Sequence, residues 1–230
     1  MENHCILIIS DMHIPYHHKS TIPFLTAIKK RFKIDRVIIT GDEVDWHSIS
    51  FHDKDPDLPF SPAAELLKSI EYLKELYQLY PLADLLESNH GSLVYRKGKH
   101  HGIPRSVFKS YKEILEAPSG WNWHNELKIK LPDGKDCLFV HGKAANGLNL
   151  ATLESTNVVQ GHYHSVFEIK YSHNFWSMTV GCMIDDTEMA FAYNKLQIKR
   201  PILGCALILN GEPKLLRMNL INGIWDGRIV

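Results

Sequence analysis

The sequence predicts an α/β fold, a two-sheet β-sandwich flanked by helices, with a βαβαβ first half and a mostly β second half. Short, almost wholly apolar runs such as Cys5–Ser10 and Ile34–Thr40 alternate with amphipathic segments early in the chain, a pattern typical of βαβ units. From Trp121 onward the segments become strand-like, and the Asp133-Gly134 dipeptide predicts a hairpin. No linker-like composition separates the halves, so we expect a single domain over residues 1–230.

The periodicity of apolar residues sets the expected order of elements. Helical spacing over Ser20–Phe32 and Leu66–Tyr80 predicts two amphipathic helices, separated by a strand and the long polar loop Trp46–Pro62. The other elements expected in the first half are a strand at Ala83–Glu87, an irregular stretch at 91–105 and a helix at Ser106–Glu116. The strands expected in the second half are Glu126–Leu131, Asp136–Val140, Asn157–Gln160, Val166–Tyr171, Phe175–Val180, Ile202–Leu209 and Lys214–Asn219.

Composition excludes several broad classes. Lys plus Arg and Asp plus Glu both number 26, so no net charge favours nucleic acid or an acidic substrate, and any such argument must be local. The four cysteines are scattered, which favours buried reduced thiols in a cytoplasmic protein. The chain enters a strand at once without a charged leader, and no apolar run approaches the ~20 residues of a membrane helix, so we expect neither a secretion signal nor a membrane partner.

Polar side chains follow five of the strand-like runs, just past the end of each. Because ligands collect outside the carboxyl ends of strands in open α/β sheets, we expect these side chains to lie close together. A single Asp here could equally be a helix cap, and a single His is more often a packing or surface residue, but the recurrence favours a shared site. The residues are Asp11, His13, Asp42, Asn89, His141, His162 and His164.

This set of carboxylate, imidazole and amide ligands suits divalent ions such as Mn, Fe, Zn or Mg. Seven ligands are too many for one ion and suit two ions that share a bridging carboxylate. Asp42 lies at the sharpest turn and is the natural bridge. A two-metal site can activate a water molecule and hold a phosphate for in-line displacement, so the pattern predicts phosphate-ester chemistry.

Five short motifs in this order resemble the signature blocks of the calcineurin-like metallophosphoesterases. The blocks span residues 11–164 and therefore most of the chain. As an ordered set they are highly specific. They are Asp11-x-His13, Gly41-Asp42-x-x-Asp45, Asn89-His90, His141-Gly142 and Gly161-His162-x-His164.

The resemblance implies a dinuclear site and a role for each matching residue. One ion would be held by Asp11, His13, Asp42 and His164. The other ion would be held by Asp42, Asn89, His141 and His162. His90 matches the catalytic histidine that contacts the scissile phosphate and protonates the leaving oxygen, and Asp45 matches a carboxylate that orients a ligating imidazole. The expected cofactors are two divalent ions, with Mn²⁺ first and Fe, Zn, Mg, Ni or Co as alternatives.

Two departures from the phosphoprotein-phosphatase branch bear on the substrate. Trp46 follows Asp45 where that branch has an arginine that clamps phosphate, and Gly91 follows His90 where it has an acid. All proposed metal ligands and His90 are retained. The chain is therefore more similar to the nuclease and phosphodiesterase-like members, including small ones of bacteriophage or bacterial origin.

A basic stretch begins a few residues after His90, and its cations could bind further phosphates of a nucleic acid or nucleotide. The alternative is a solvated surface. Tyr95, Trp121 and Trp123 could stack on bases, although core packing is the more common role of such residues. The candidate substrate-binding residues are Arg96, Lys97, Lys99 and Arg105.

The sequence thus predicts a metal-dependent phosphoesterase that uses a metal-bridging hydroxide, and we favour a phosphodiesterase or nuclease acting on nucleic acid or nucleotides. The alternatives are a phosphomonoesterase acting on nucleotides or phosphoproteins, and a metal-binding accessory module of low activity.

Overall fold

The computed structural model describes residues 4–51, 60–188 and 200–229. The helices are α1 (Thr21–Arg31), α2 (Pro62–Leu79), α3 (Leu93–His100), α4 (Tyr111–Ile114) and α5 (Gly147–Leu153), with 3-10 turns at His47–Ile49 and Arg105–Val107. The strands are β1 (Cys5–Ile9), β2 (Arg36–Ile39), β3 (Ala83–Leu86), β4 (Trp121–His124), β5 (Leu127–Lys130), β6 (Asp136–Val140), β7 (Asn157–Gln160), β8 (Glu168–Tyr171), β9 (Trp176–Thr179), β10 (Gly204–Leu209), β11 (Glu212–Arg217), β12 (Leu220–Ile221) and β13 (Ile224–Trp225).

Two sheets form the architecture. The first has six strands in the order β11-β10-β1-β2-β3-β4, and the second has five in the order β5-β6-β7-β9-β8. Strands β1 to β4 run parallel to one another, as do β6, β7 and β9. The pairs β1–β10, β5–β6 and β8–β9 are antiparallel. The predicted α/β fold with two sheets flanked by helices is confirmed, and the turn at Asp133-Gly134 joins the antiparallel strands β5 and β6 as expected. A second tight turn, at Asn210-Gly211, joins β10 and β11.

The alternation of side chains along β1 explains how the layers assemble. Leu7 and Ile9 pack towards the helices, in one cluster with Phe24 and Leu73. Ile6 and Ile8 pack on the other face against residues of the second sheet such as Phe139. Successive strand residues face opposite sides of a sheet, so a strand covered on both faces must be apolar throughout. This double burial is why the run reads as continuously hydrophobic.

Three elements differ from the sequence-based expectations. Residues 93–100 of the supposedly irregular stretch form α3, Trp121–His124 adds the parallel edge strand β4, and Gly147–Leu153 forms α5. Gly98 lowers the helix propensity of α3. A Cβ on Gly98 would lie 2.3 Å from Phe108 Cζ, so tertiary packing requires the glycine that weakened the sequence signal.

The expected helix at Ser106–Glu116 is shorter than predicted. It is α4 alone, which begins at a capping box formed by Ser110 and Glu113. The predicted loop Trp46–Pro62 begins with the 3-10 turn, and its residues 52–59 lie outside the described part of the chain. Within the described ranges, no helix combines the length and apolarity that a bilayer crossing requires.

Truncation of Phe139 tests the packing between the sheets. Phe139 is fully buried between the two layers, so we expect Phe139→Ala to lower the free energy of unfolding by about 3–5 kcal/mol, and Phe139→Leu to cost less because a smaller cavity remains. Urea denaturation followed by circular dichroism measures both changes. Tyr171→Ala, at a side chain that is 61% exposed, should stay within about 0.5 kcal/mol of the parent. An equal loss for both alanine variants would contradict the assigned core.

Candidate functional site

Loops at the carboxyl ends of strands in both sheets converge on one cluster. The loops after β1 and β2 are joined by main-chain hydrogen bonds, from Asp11 N to Gly41 O at 3.2 Å and from His13 N to Asp42 O at 2.8 Å. In the second sheet, Gly161 N donates to His141 O at 2.7 Å, which joins the loops after β6 and β7. The strand ends thus place their polar side chains around a common space, as the sequence pattern predicts.

The backbone at the cluster is strained where it delivers ligand side chains. Asp11, His13, Asp42 and His162 all have positive φ angles, between 49° and 70°. Each such residue costs of order 1–3 kcal/mol unless its surroundings hold it there, and such residues concentrate at functional sites. Gly41 also has a positive φ of 105°, and a Cβ there would lie 2.6 Å from Ser88 Cβ. The sharp turn before Asp42 therefore requires glycine.

Four residues form a first group of potential ligands. One ligand atom from each of Asp11, His13, Asp42 and His164 lies within 4.8 Å of the others. His13 Nε2 is 3.1 Å from His164 Nε2 and 3.5 Å from Asp42 Oδ2. His164 Nε2 is 3.2 Å from Asp11 Oδ1. This is the group that the family resemblance assigns to one ion.

A second group surrounds the other side of Asp42. Asp42, His141 and His162 satisfy the same 4.8 Å criterion. Asn89 joins them, since its Oδ1 lies 2.7 Å from His141 Nε2, which is itself 3.2 Å from Asp42 Oδ2. Asp42 is therefore common to both groups, in the position expected of a bridging carboxylate.

The nitrogen and oxygen atoms that face each other in the cluster are better placed to bind cations than to hydrogen-bond to one another. His13 Nδ1 hydrogen-bonds to Asp45 Oδ1 at 2.5 Å, so its Nε2 presents a lone pair to the first group. His141 Nδ1 likewise donates to Thr40 O at 2.8 Å, so its Nε2 presents a lone pair to the second. Asp42 Oδ2 is buried and accepts no well-formed hydrogen bond. Facing lone pairs in a buried site require a proton or a metal ion between them, so these residues fit divalent metal binding.

The electrostatics of the cluster point the same way. Burial opposes the charged form of His141, but the negative charge of Asp42 outweighs it and raises the pKa of His141 to about 9. Burial alone would raise the pKa of Asp42, yet the charges of His141, His90 and His13 hold it well below the usual range. Without metal, a proton on His141 thus serves as counter-charge to Asp42.

His90 lies beside the first group, where Asp42 and Asp45 hold it in place. Its main-chain N–H donates to Asp42 Oδ1 at 3.0 Å, and its Nδ1 lies 2.6 Å from Asp45 O and 3.1 Å from Asp45 Oδ1. Burial opposes its charge, but the hydrogen bond to Asp45 and the charges of Asp42 and Asp45 raise the pKa of His90 to about 10. Without metal, His90 is therefore a cation at neutral pH. With Nδ1 engaged, Nε2 remains available for a ligand.

Asp45 lies between His13 and His90 and contacts both. Its Oδ1 faces both His13 and His90, and His47 Nδ1 lies 3.6 Å from its Oδ2. Burial alone would raise the pKa of Asp45, but the hydrogen bonds from His13 and His90 lower it. Asp45 is thus a buried anion that fixes the ring orientation of a ligand and of the candidate catalytic histidine.

Two buried acids next to the cluster were not singled out in the sequence. Glu43 is 1% exposed, accepts a hydrogen bond from Trp123 Nε1 at 3.1 Å, and has a pKa that burial raises to about 7. Glu65 accepts the main-chain N–H groups of His47 and Ser48 at 2.7 and 2.8 Å, and so holds the turn that follows Asp45. Glu65 stands among apolar residues at the start of α2, which was a signal of its own, whereas Glu43 follows Asp42 directly and precedes Asp45 by two residues, so nothing separated it from these acids in the sequence.

Ser88, with Glu43 behind it, accounts for the glycine after His90. A Cβ on Gly91 would lie 2.9 Å from Ser88 Oγ and 3.5 Å from Glu43 Oε1. Ser88 Oγ in turn accepts the N–H groups of Asp42 and Gly91 at 2.9 and 3.1 Å. A larger acidic side chain at position 91 would meet this buried carboxyl, so the departure from the phosphatase motif is built into the packing.

The candidate substrate-binding residues occupy different surroundings. Arg96, Lys97 and Lys99 lie on α3 and not on an irregular loop. Arg96 Nη1 donates to Asn89 O at 3.0 Å, directly beside the second ligand group. Arg105 lies on the following 3-10 turn, where it pairs with Glu87 at 2.9 Å. The structure therefore places Arg96 next to the centre, whereas Arg105 has a structural partner.

The three aromatic residues considered for base stacking pack within the fold. Trp121 is completely buried and donates from Nε1 to Tyr80 O at 2.9 Å, and Tyr95 is 8% exposed. Trp123 is half-buried and is engaged with Glu43. The three residues therefore pack in the fold, which is the more common role of such side chains.

Comparisons with known proteins give a structural match only. No protein-family model matches the chain, and no curated protein is similar to it at a significant level. The structure of vacuolar protein sorting 29 from Cryptosporidium parvum is similar, with a TM-score of 0.53 and 14% sequence identity, over 99% of this chain and 95% of that one.

Two further solved structures are similar over most of their length. Wild-type Vps29 from Entamoeba histolytica, complexed with Zn²⁺, has a TM-score of 0.51 and 11% identity, with 98% of this chain and 96% of that one covered. A metallophosphoesterase from Sphaerobacter thermophilus has a TM-score of 0.48 and 14% identity, with 95% of this chain and 89% of that one covered. The likeness to the two vacuolar protein sorting 29 structures, each with a TM-score above 0.5, shows the calcineurin-like metallophosphoesterase fold that the motifs of this chain predict.

Proposed function

We propose that this protein is a divalent-metal-dependent phosphoesterase with a dinuclear centre. The observation that carries the proposal is the position of Asp42, whose buried carboxylate belongs to two ligand groups at once. Asp11, His13 and His164 complete one group, and the residues that complete the other are Asn89, His141 and His162. When bound, two divalent ions would supply positive charge that holds a phosphate ester and activates water for its displacement.

The chain's own residues prepare the centre for such an ester. Asp45 keeps His13 in one tautomer and orientation, and Thr40 O does the same for His141. The side chain of His162 is exposed, so the second group faces solvent and a substrate can reach it. The cationic His90 lies beside Asp42, where it can contact a phosphate oxygen and donate a proton to the leaving oxygen.

A phosphodiester of a nucleic acid or nucleotide is the substrate class we favour. The arginine and acid of the phosphatase motifs are replaced by Trp46 and Gly91, and a Cβ at position 91 would lie only 2.9 Å from Ser88 Oγ. Arg96 and Lys97 supply positive charge on α3, next to the Asn89 loop. A phosphomonoester of a nucleotide or phosphoprotein is the alternative. We propose Mn²⁺ as the first metal to test, because carboxylate, amide and imidazole ligands suit it.

A metal-binding accessory module with little activity is the second candidate. The likeness to the vacuolar protein sorting 29 structures supports it, since proteins named for sorting and not for hydrolysis share this fold at a TM-score above 0.5. The ligand groups and His90 support the enzyme more strongly, because a module without turnover has no need of a cationic histidine beside the bridging carboxylate.

The cytoplasmic location stays a prediction, in keeping with four buried free thiols.

Substrate comparison is the direct test of the proposed activity. We expect chelator-treated protein to regain hydrolysis when Mn²⁺ is added, with bis-p-nitrophenyl phosphate cleaved faster than p-nitrophenyl phosphate. Asp42→Asn should abolish the activity, because it weakens both ligand groups together. Preferential cleavage of the monoester would favour the phosphatase alternative. No metal-dependent cleavage with any of several ions would favour the accessory module.

Replacement of His90 separates catalysis from metal binding. His90→Ala should lower kcat for the thymidine dinucleotide dTpdT by roughly 10²–10⁴-fold, the usual contribution of a positioned general acid, because the alkoxide leaving group of this diester needs a proton. Metal content measured by elemental analysis should be unchanged, since the hydrogen bond to Asp42 comes from the main chain of residue 90 and survives in alanine. His173→Ala, in the exposed turn between β8 and β9, is the matched control. Unchanged kcat in His90→Ala would rule out the assigned role.

Metal binding should release a proton from His141. Its pKa of about 9 lies above neutral pH, so the folded apo protein holds that proton at pH 7.5 and an incoming ion must displace it. Mn²⁺ affinity should therefore rise with pH, by about tenfold per pH unit below pH 9 for this one group, and level off above it. Isothermal titration in buffers of different ionisation enthalpy counts the protons released, and about one is expected. His173→Asn should leave the count unchanged, and pH-independent affinity would contradict the assignment.

A further inference from the structure

Phe51 is a large apolar side chain left open to solvent beside the proposed centre. It follows the 3-10 turn after Asp45, and its side chain is 47% exposed. The aromatic residues first considered for stacking are packed within the fold, so Phe51 is the accessible ring that the structure places here. An exposed phenylalanine next to a polar site has a π-face available to a ligand.

Two cations of α3 surround this ring. Lys97 Nζ lies 3.9 Å from the centroid of the Phe51 ring, and Arg96 Cζ lies 5.5 Å from it. The ring of His100 meets Phe51 edge-on, with centroids 5.9 Å apart. These cation–π contacts, with both cations over the ring, hold the ring in place and put two positive charges directly beside it.

The charges of Arg96 and Lys97 are not neutralised by carboxylates within the described residues. Two other cations do have carboxylate partners: Arg105 pairs with Glu87 at 2.9 Å, and Lys143 pairs with Glu154 at 3.1 Å. The ion pairs found in residues 4–51, 60–188 and 200–229 include neither of the two cations beside Phe51. Two uncompensated positive charges next to an exposed ring favour an anionic, planar ligand.

Arg96 connects this surface to the metal ligands. Its Nη1 donates to Asn89 O, and it lines a groove of about 470 Å³ together with Asn89, His141 and His162. The groove is of a size that takes a nucleotide-sized group. A chain of linked phosphates held at the centre would therefore pass Arg96 before reaching Lys97 and Phe51.

We propose that Phe51, Arg96 and Lys97 form a subsite for single-stranded nucleic acid, in which an unpaired base stacks on Phe51 and neighbouring backbone phosphates contact the two cations. The inference rests on the proposed function and names its substrate class. Aromatic side chains interleaved with cations are how proteins bind single strands with little sequence preference. A base inside a duplex has both faces covered by its neighbours, so this ring selects for unpaired bases.

Binding of a short oligonucleotide to the full chain loaded with Mn²⁺ tests the subsite. The probe is fluorescein-labelled dT12 with phosphorothioate linkages, which slow cleavage, and the readout is fluorescence anisotropy. Phe51→Leu keeps an apolar side chain but removes the π-face, and should weaken binding at least about fivefold. Phe51→Tyr restores a ring and should bind as the parent does. The corresponding 12-base-pair duplex should bind more weakly than dT12 and should not respond to Phe51→Leu.

The salt dependence of the same binding identifies phosphate contacts. Each of Arg96→Gln and Lys97→Gln should reduce the slope of log Kd against log salt concentration by about 0.7, the value for one phosphate contact on a single strand. Lys33→Gln is the control, because Lys33 lies in a groove at the opposite ends of the strands and should leave the slope unchanged. Repeating the titrations in EDTA, which removes the metal ions, measures the binding free energy that the subsite contributes without the metal centre.

The outcomes distinguish this inference from the proposed function. If dT12 does not bind, or binds equally well to Phe51→Leu, or if the duplex binds as tightly, the subsite is wrong even where bis-p-nitrophenyl phosphate is hydrolysed. If that diester is not hydrolysed but dT12 binding depends on Phe51 and the two cations, the subsite stands and the phosphoesterase proposal fails.

Discussion

The buried carboxylate of Asp42 is the constraint on which the rest of the site depends. A carboxylate that is 1% exposed must have a positive partner, and here two imidazole groups and the main chain of His90 are arranged around it. Its own position requires a positive φ and the preceding Gly41, whose missing side chain lets the Ser88 loop approach. The loops after β1, β2, β3 and β6 are shaped by the need to surround one charge.

The layered core explains why that arrangement is precise. Strands covered by helices on one face and by the second sheet on the other cannot shift register without exposing apolar side chains. Their carboxyl ends are therefore fixed, and short loops with strained residues such as Asp11 and His162 can hold ligand atoms within a few ångströms. Burial in the layers supplies the free energy that keeps those strained conformations in place.

Much of this could be predicted from the sequence, because the informative signals were local and repeated. Apolar runs ending in Asp, Asn or His marked both the strands and the candidate ligands, and the structure brings all seven of these side chains together. What could not be predicted depends on distant contacts. Helix α3 needs Phe108 packed on Gly98, and the role of Glu43 needs Trp123, 80 residues away. Spacing along the chain carries no record of such pairs, and the same is true of Phe51 beside Lys97.

The pairing of β1 with β10 has a consequence for how the chain is made. β1 lies in the middle of its sheet, yet Cys5 pairs with Leu209, near the other end of the sequence. On a ribosome, which adds about 5–20 residues per second, the first strand would wait for at least several seconds with one edge unpaired. An apolar strand with an open edge is a site of misassociation. Nascent chains of this protein would therefore depend on protection of that edge until its last large hairpin emerges.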